Sequence, residues 1–117
     1  MNRENLLNKN IKNMSNNSFF LVSVLMPLYR PKIEQLKAAI DSLENQTFQD
    51  FQLVIVDDTP DNQEIESLLS SYKTLNINYH HNNIELGLSK SLNYGISLCN
   101  SDYVARADCD DIYHETR

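Results

Sequence analysis

The chain has 117 residues and a formal net charge of -6 at pH 7, from 16 acidic and 10 basic side chains. This length gives one domain at most, and 41% hydrophobic residues can form a modest core. The negative balance argues against a nucleic-acid groove, because phosphate backbones are held mainly by Lys and Arg.

The first 18 residues are rich in Asn with scattered Lys, which predicts a mobile N-terminal tail ahead of a domain over 19–117. This tail lacks the apolar segment of a signal peptide, and no apolar run in the chain approaches the roughly 18 residues of a membrane span. Cys99 and Cys109 lack the spacing of a redox or metal-binding pair, which favours a reduced compartment. We therefore expect a cytoplasmic chain without a transmembrane segment.

Apolar runs alternate with helical patterns along the rest of the chain. The predicted strands are 19–26, ended by Pro27, then 51–56, 75–79 and 102–107. Helices are expected from Pro31 to about 45, over 61–72 and over 87–99. The strand–helix–strand order predicts an α/β fold, a Rossmann-like, mainly parallel sheet with flanking helices on both faces.

Two finer predictions concern the second half of the chain. The last helix has Leu88, Leu92 and Ile96 at helical spacing, and we expect these side chains to face the core. His80 and His81 follow the third predicted strand, and we expect them in a solvated loop, since no third ligand is spaced near them for a metal site.

Polar or aromatic residues follow three of the predicted strands, at 27–29, 57–58 and 108–110. Ligands of parallel sheets bind outside the carboxyl ends of the strands. The sequence therefore predicts that these three segments converge on one rim of the sheet.

Three carboxylates, Asp108, Asp110 and Asp111, lie within four positions after the last predicted strand. They repel one another and resist desolvation, so a cation is expected to offset the cost. Mg²⁺ or Mn²⁺ suits carboxylates and can hold a ligand's phosphates as well. Asp108 and Asp110 are two positions apart and can address one metal, while Cys109 points away. The alternative is an acidic turn facing water.

Five segments of the chain resemble glycosyltransferase family 2, whose members have the A-type fold and use nucleotide-sugar donors. In order they are VSVLMPLYR, NQTFQDF, QLVIVDD, ELGLSKSLNYGI and DYVARADCDDI, and they cover nearly everything from 19 onward. The resemblance implies binding of a nucleotide-sugar, with a UDP-sugar expected, through a metal and an Asp-x-Asp motif. It also implies a glycan or lipid-linked acceptor, as in polysaccharide biosynthesis.

The resemblance implies base-binding roles for residues after the first two strands. Pro27 and Tyr29 fall where the family's first strand ends against the base, and Tyr29 is placed to stack on the pyrimidine. Asp58 falls where the family hydrogen-bonds the base edge, with Asp57 as its structural partner.

The resemblance further implies that Asp108 and Asp110 form the Asp-x-Asp motif. In the family this motif contacts the ribose and coordinates the metal that bridges the diphosphate, so Asp108 is expected to touch both. Lys90 and Asn93, in the ELGLSKSLN segment, fall at positions near the nucleotide.

Some features depart from the family pattern. Arg30 stands where an Asn or Asp is usual, and Thr59 and Pro60 stand where Gly-Ser is usual. Family members also continue past the Asp-x-Asp through an acceptor-binding half, which supplies a later Asp or Glu as the general base, whereas this chain ends at Arg117. We therefore expect a truncated A-type fold that binds a donor, carries no catalytic base and is inactive alone.

Two alternatives come from other functional classes. One is a receiver-like signalling domain, because LVIVDD resembles the acid pair of such domains and Lys90 could serve as their lysine. The acid pair follows the second predicted strand here, which weakens that match. The other is a non-catalytic nucleotide-sugar-binding module that works with a separate partner. A dinucleotide fold is disfavoured, since Gly87 and Gly95 are the only glycines.

Overall fold

The computed structural model describes residues 20–109. Four parallel strands form one sheet in the order β3-β2-β1-β4. The strands are β1 (Phe20–Leu28), β2 (Phe51–Asp57), β3 (Ile77–His81) and β4 (Ser101–Arg106), and the helices are α1 (Ile33–Glu44), α2 (Gln63–Ser70) and α3 (Leu88–Leu98). This architecture confirms the predicted Rossmann-like α/β fold. None of the three helices within 20–109 has the length and apolarity needed to cross a bilayer.

Helices cover both faces of the two central strands. On one face, Met26 and Ile55 pack with buried residues of α1 and α2, among them Ile40 and Ile65. On the other face, Val54 and Val56 pack against half-buried residues of α3. Because both faces are covered, the sequences of β1 and β2 are nearly continuous apolar runs and do not alternate between apolar and polar residues.

Strand β1 continues through Pro27 to Leu28, so the prediction that Pro27 ends it is wrong. The reason lies in the register. The backbone of Leu25 bonds to β4 and that of Leu28 bonds to β2, so the nitrogen of Pro27 faces the β4 side. The β4 pairing ends at Leu25 opposite Arg106. The missing N–H of Pro27 therefore falls where the β4 pairing ends, while the pairing of β1 with β2 continues to Leu28.

Helix α3 approaches the sheet through small residues. Its buried residues are Ser91 and Gly95, and a Cβ placed on Gly95 would lie 2.4 Å from Cδ1 of Leu25. Leu88 and Ile96 are 53% and 55% exposed, so the prediction that they face the core is wrong. Leu92, which is half-buried against the core, is confirmed. A helix this close to a sheet has no room for large side chains beneath it.

Two other boundaries differ from the predicted ones. Helix α1 begins at Ile33, because Lys32 is extended (φ -74°, ψ 127°), and Pro31 therefore lies outside the first turn. Strand β3 is displaced by two residues and includes His80 and His81, which are half-buried rather than in a solvated loop. Strand β4 is the exposed edge of the sheet, and from Asp102 to Arg106 every residue is exposed.

Candidate functional site

The carboxyl ends of β1, β2 and β4 enclose a cleft of about 660 Å³. Its lining comes from the ends of these strands and from the loop and first turn of α3, namely Pro27, Leu28, Tyr29, Asp58, Glu85, Gly87, Leu88, Ser91, Arg106, Asp108 and Cys109. Leu88 is exposed because it belongs to this lining. A smaller apolar cavity of about 260 Å³ lies between α1 and β4 and has few polar groups.

Asp58 joins the end of β2 to the loop before α3. Its Oδ1 accepts hydrogen bonds from Asn82 Nδ2 (2.8 Å) and Leu86 N (2.8 Å), and its Oδ2 accepts one from Gly87 N (2.9 Å). Burial opposes ionisation of this carboxyl, but the three hydrogen bonds and nearby His81 outweigh burial and hold the pKa of Asp58 below its ordinary value. The carboxylate is therefore ionised at neutral pH and fixed in orientation.

The loop that Asp58 holds requires a glycine. Gly87 has φ 86° and ψ 168°, a backbone conformation that is essentially restricted to glycine. Its N–H points at Asp58, and α3 begins at the next residue. Asp58 at the end of β2 thus bonds directly to residues 86 and 87, which lie far from it in sequence.

Asp57 has a different environment from Asp58. It is fully buried; its Oδ1 accepts a hydrogen bond from Thr59 N (2.9 Å) and its Oδ2 accepts one from Tyr79 OH (2.6 Å). Burial and the bond to Asp57 raise the pKa of Tyr79. His81 Nε2 donates to the carbonyl of Thr59 (2.6 Å). Asp57 therefore supports the strand end and does not line the cleft.

Tyr29 projects at the mouth of the cleft and is 52% exposed. Arg30 Nε donates to Tyr29 OH (3.0 Å), and the guanidinium carbon lies 5.4 Å from the ring centroid. Arg30 has φ 47°, and its N–H donates to Thr59 Oγ1 (2.8 Å). Arg30 and Thr59, which both depart from the family pattern, are thus bonded to each other next to Tyr29 in the chain.

Arg106 and Asp108 form the β4 wall of the cleft. Arg106 Nη2 lies 3.2 Å from Asp108 Oδ1, and the two side chains are 49% and 46% exposed. Cys109, which was predicted to point away, also contributes to the lining while packing against the core. Asp110, the other predicted metal ligand, lies outside the described residues.

The structure brings four predicted site residues together in the cleft: Pro27, Tyr29, Asp58 and Asp108. Lys90 and Asn93 are exposed on α3 and are not part of its lining.

Sequence reasoning missed four polar residues of this region, namely Asn82, Glu85, Ser91 and Arg106. Asn82 is buried, and its Nδ2 also donates to Ser91 Oγ (3.1 Å). Glu85 and Arg106 line the cleft directly. The signal for Arg106 was its position two residues before Asp108 on an extended segment, which places both side chains on one face.

The model of glycosyl transferase family 2 matches residues 23–117. The uncharacterized glycosyltransferase MJ1057 of Methanocaldococcus jannaschii is 37% identical over 94 residues, which cover 79% of this chain and 32% of that protein. The O-antigen biosynthesis glycosyltransferase WbnJ of Escherichia coli is 36% identical over 93 residues, which cover 79% of this chain and 36% of that protein. The chain thus spans about a third of the length of these relatives.

Solved structures share the fold. S. aureus TarS 1-349 in complex with UDP-GlcNAc superposes with a TM-score of 0.73 at 23% identity, over 82% of this chain and 28% of that one. The mannosyltransferase PcManGT of Pyrobaculum calidifontis, in complex with GDP-Man and Mn²⁺, gives a TM-score of 0.70 at 15% identity, over 95% and 36%. At these identities the likeness shows the A-type fold alone.

Proposed function

The chain belongs to glycosyltransferase family 2, and we propose that its cleft binds the nucleotide of a UDP-sugar donor for transfer to a glycan or lipid-linked acceptor. The observation that carries the proposal is the convergence of Tyr29, Asp58 and Asp108 on one cleft. The name of WbnJ supports a glycan product, and the UDP-GlcNAc complex of TarS supports the donor class.

The base would lie between Tyr29 and Asp58. An exposed ring offers a stacking platform, worth about 1–3 kcal/mol per base. An ionised carboxylate has about four acceptor positions, and described residues use three of those of Asp58. The remaining acceptor position of Asp58 is on Oδ2, and it can accept a hydrogen bond from the N–H of uracil.

The diphosphate would lie nearer Asp108, with a divalent metal. Among residues 20–109, no group of three or more His, Cys, Asp and Glu side chains could hold a metal by itself. One or two carboxylates, Asp108 with Asp110, fit Mg²⁺ or Mn²⁺ that completes its shell with phosphate oxygens and water. When bound, such a metal neutralises charge on the departing diphosphate.

Family membership argues against a receiver-like domain, and the bonding of Asp58 agrees. A phosphoacceptor carboxylate gives one oxygen to a covalent bond with phosphorus, whereas both oxygens of Asp58 accept hydrogen bonds from backbone N–H groups before α3. Phosphorylation of Asp58 would break that turn. The proposal assigns donor binding to the cleft and assigns no general base within the described residues.

Titration calorimetry with UDP, with and without Mn²⁺, tests the proposal. Tyr29→Ala should weaken binding about tenfold in both conditions, because a stacked base loses about 1–3 kcal/mol without its aromatic partner. Asp108→Asn should reduce the gain in affinity that Mn²⁺ provides, because the metal loses one of its two proposed carboxylate ligands.

Two exposed residues of β4 that do not line the cleft provide matched controls. Tyr103→Ala and Asp102→Asn should bind UDP as the unchanged chain does. Absence of UDP binding in both conditions would contradict the proposed function.

A further inference from the structure

Arg106 is the one basic side chain among the described residues that line the cleft. The same lining carries three carboxylates, those of Asp58, Glu85 and Asp108. An incoming diphosphate therefore meets a mainly negative wall, and it needs a metal together with whatever cation the protein provides.

The partner of Arg106 is the carboxylate predicted to bind the metal. Arg106 and Asp108 lie two positions apart at the end of β4, so both side chains emerge on the same side, and their contact is 3.2 Å long. Both side chains are about half exposed. An exposed ion pair of this kind contributes little to stability and breaks readily.

We propose that Arg106 changes partners when the donor binds. In the free cleft its guanidinium is the counter-ion of Asp108. With Asp108 holding a divalent metal, the guanidinium of Arg106 would be released to contact a phosphate oxygen of the donor. This inference rests on the proposed function and extends it, since it assigns phosphate recognition to a side chain in addition to the metal.

The chemistry of arginine suits both states. Its planar fork of N–H donors matches carboxylate and phosphate oxygens equally well. Its long side chain can move between two acceptors that lie within one cleft without a change in the backbone. Arg106 is the last residue of β4 and pairs with Leu25 of β1, so the origin of its side chain is fixed by the sheet.

Binding measurements on Arg106→Gln test this exchange of partners. Affinity for UDP with Mg²⁺, measured by calorimetry, should fall about tenfold or more, as expected when a charge-assisted hydrogen bond is lost. Affinity for uridine, measured by NMR titration, should stay unchanged, because uridine lacks the phosphates. Affinity for Mg²⁺ alone should be equal or higher, since Asp108 has lost a competing cation.

Two further variants sharpen the result. Arg106→Lys keeps the charge without the fork, and its affinity for UDP should lie between those of the other two chains. Lys37→Gln removes the basic partner of another exposed ion pair, Lys37 with Asp41 on α1, which does not line the cleft. That control should bind like the unchanged chain.

Each other outcome overturns the inference in a distinct way. Unchanged UDP affinity in Arg106→Gln means that Arg106 does not contact a phosphate. An equal loss for uridine and UDP, or weaker Mg²⁺ binding, means that Arg106 only shapes the cleft. Failure of the unchanged chain to bind UDP would overturn the proposed function first and this inference with it.

Discussion

At the residue scale, Asp58 connects the stability of the fold to the cleft. Its two oxygens hold the N–H groups of Leu86 and Gly87, and thereby the start of α3. Hydrogen bonds to an ionised group contribute more than neutral ones, about 1.5–3 kcal/mol each. Asp58, which is proposed to bind the base, thus also orders the loop before α3, and this loop lines the cleft.

Asp58→Asn should lower the free energy of unfolding by about 1.5–3 kcal/mol at pH 7, because the amide places an N–H group toward backbone donors. Urea denaturation measures the difference. The pKa of Asp58 is lowered in the folded chain. Its stabilisation is therefore complete above the ordinary carboxyl pKa of about 3.9 and is lost as the pH falls through the folded value.

The gap between Asp58→Asn and the unchanged chain should accordingly shrink below about pH 4. Asp61→Asn is a matched control, since Asp61 is exposed and accepts a single bond, from Gln63 N. Equal stability of Asp58→Asn and the unchanged chain at pH 7 would contradict this role for the carboxylate.

The convergence of Tyr29, Asp58 and Asp108 was predictable, because the carboxyl ends of parallel strands share one rim. The bond between Arg30 and Thr59 was not predictable. It depends on a left-handed backbone at Arg30, a conformation that bulky residues rarely adopt. The residue type alone gives no sign of it.

At the element scale, α3 shows where apolar spacing fails as a guide. The spacing of Leu88, Leu92 and Ile96 predicted a helix correctly. It was a poor guide to the face that packs on the sheet, because Leu88 and Ile96 are exposed. The inner face is set by Gly95, which lets the helix approach Leu25 and Val56 closely. Strands β1 and β2 were predicted well because they are buried on both sides, whereas the half-buried β3 was displaced by two residues.

Gly95→Ala should lower the free energy of unfolding by about 1–2 kcal/mol. Alanine favours a helix over glycine by about 1 kcal/mol, but overpacking of a close contact costs about 1–3 kcal/mol, and here the added Cβ meets Leu25 at 2.4 Å. Chemical denaturation provides the measurement. Asn93→Ala, at an exposed position of the same helix, is the control and should be slightly stabilising. A stabilising Gly95→Ala would mean that α3 lies farther from the sheet.

At the scale of the whole molecule, the parallel sheet brings the carboxyl ends of β1, β2 and β4 to a common cleft. The chain carries a net charge of -6, and three of the four charged residues in the described lining of the cleft are acidic. A negatively charged donor is compatible with this charge only if cations act locally, through a bound metal and Arg106. The fold thus places Arg106, the one basic side chain in the described lining, beside Asp108, so that a metal on Asp108 and the guanidinium could both contact a diphosphate.

Amide chemical shifts of the ¹⁵N-labelled chain, followed during titration with UDP and Mg²⁺, test the location of the donor site most directly. The shifts should concentrate at 27–30, at Asp58, at 85–91 and at 106–109, the segments that surround the cleft. Shifts confined to residues 43–51, which line the apolar cavity between α1 and β4, or no shifts at saturating UDP, would contradict a donor site at the carboxyl ends of the strands.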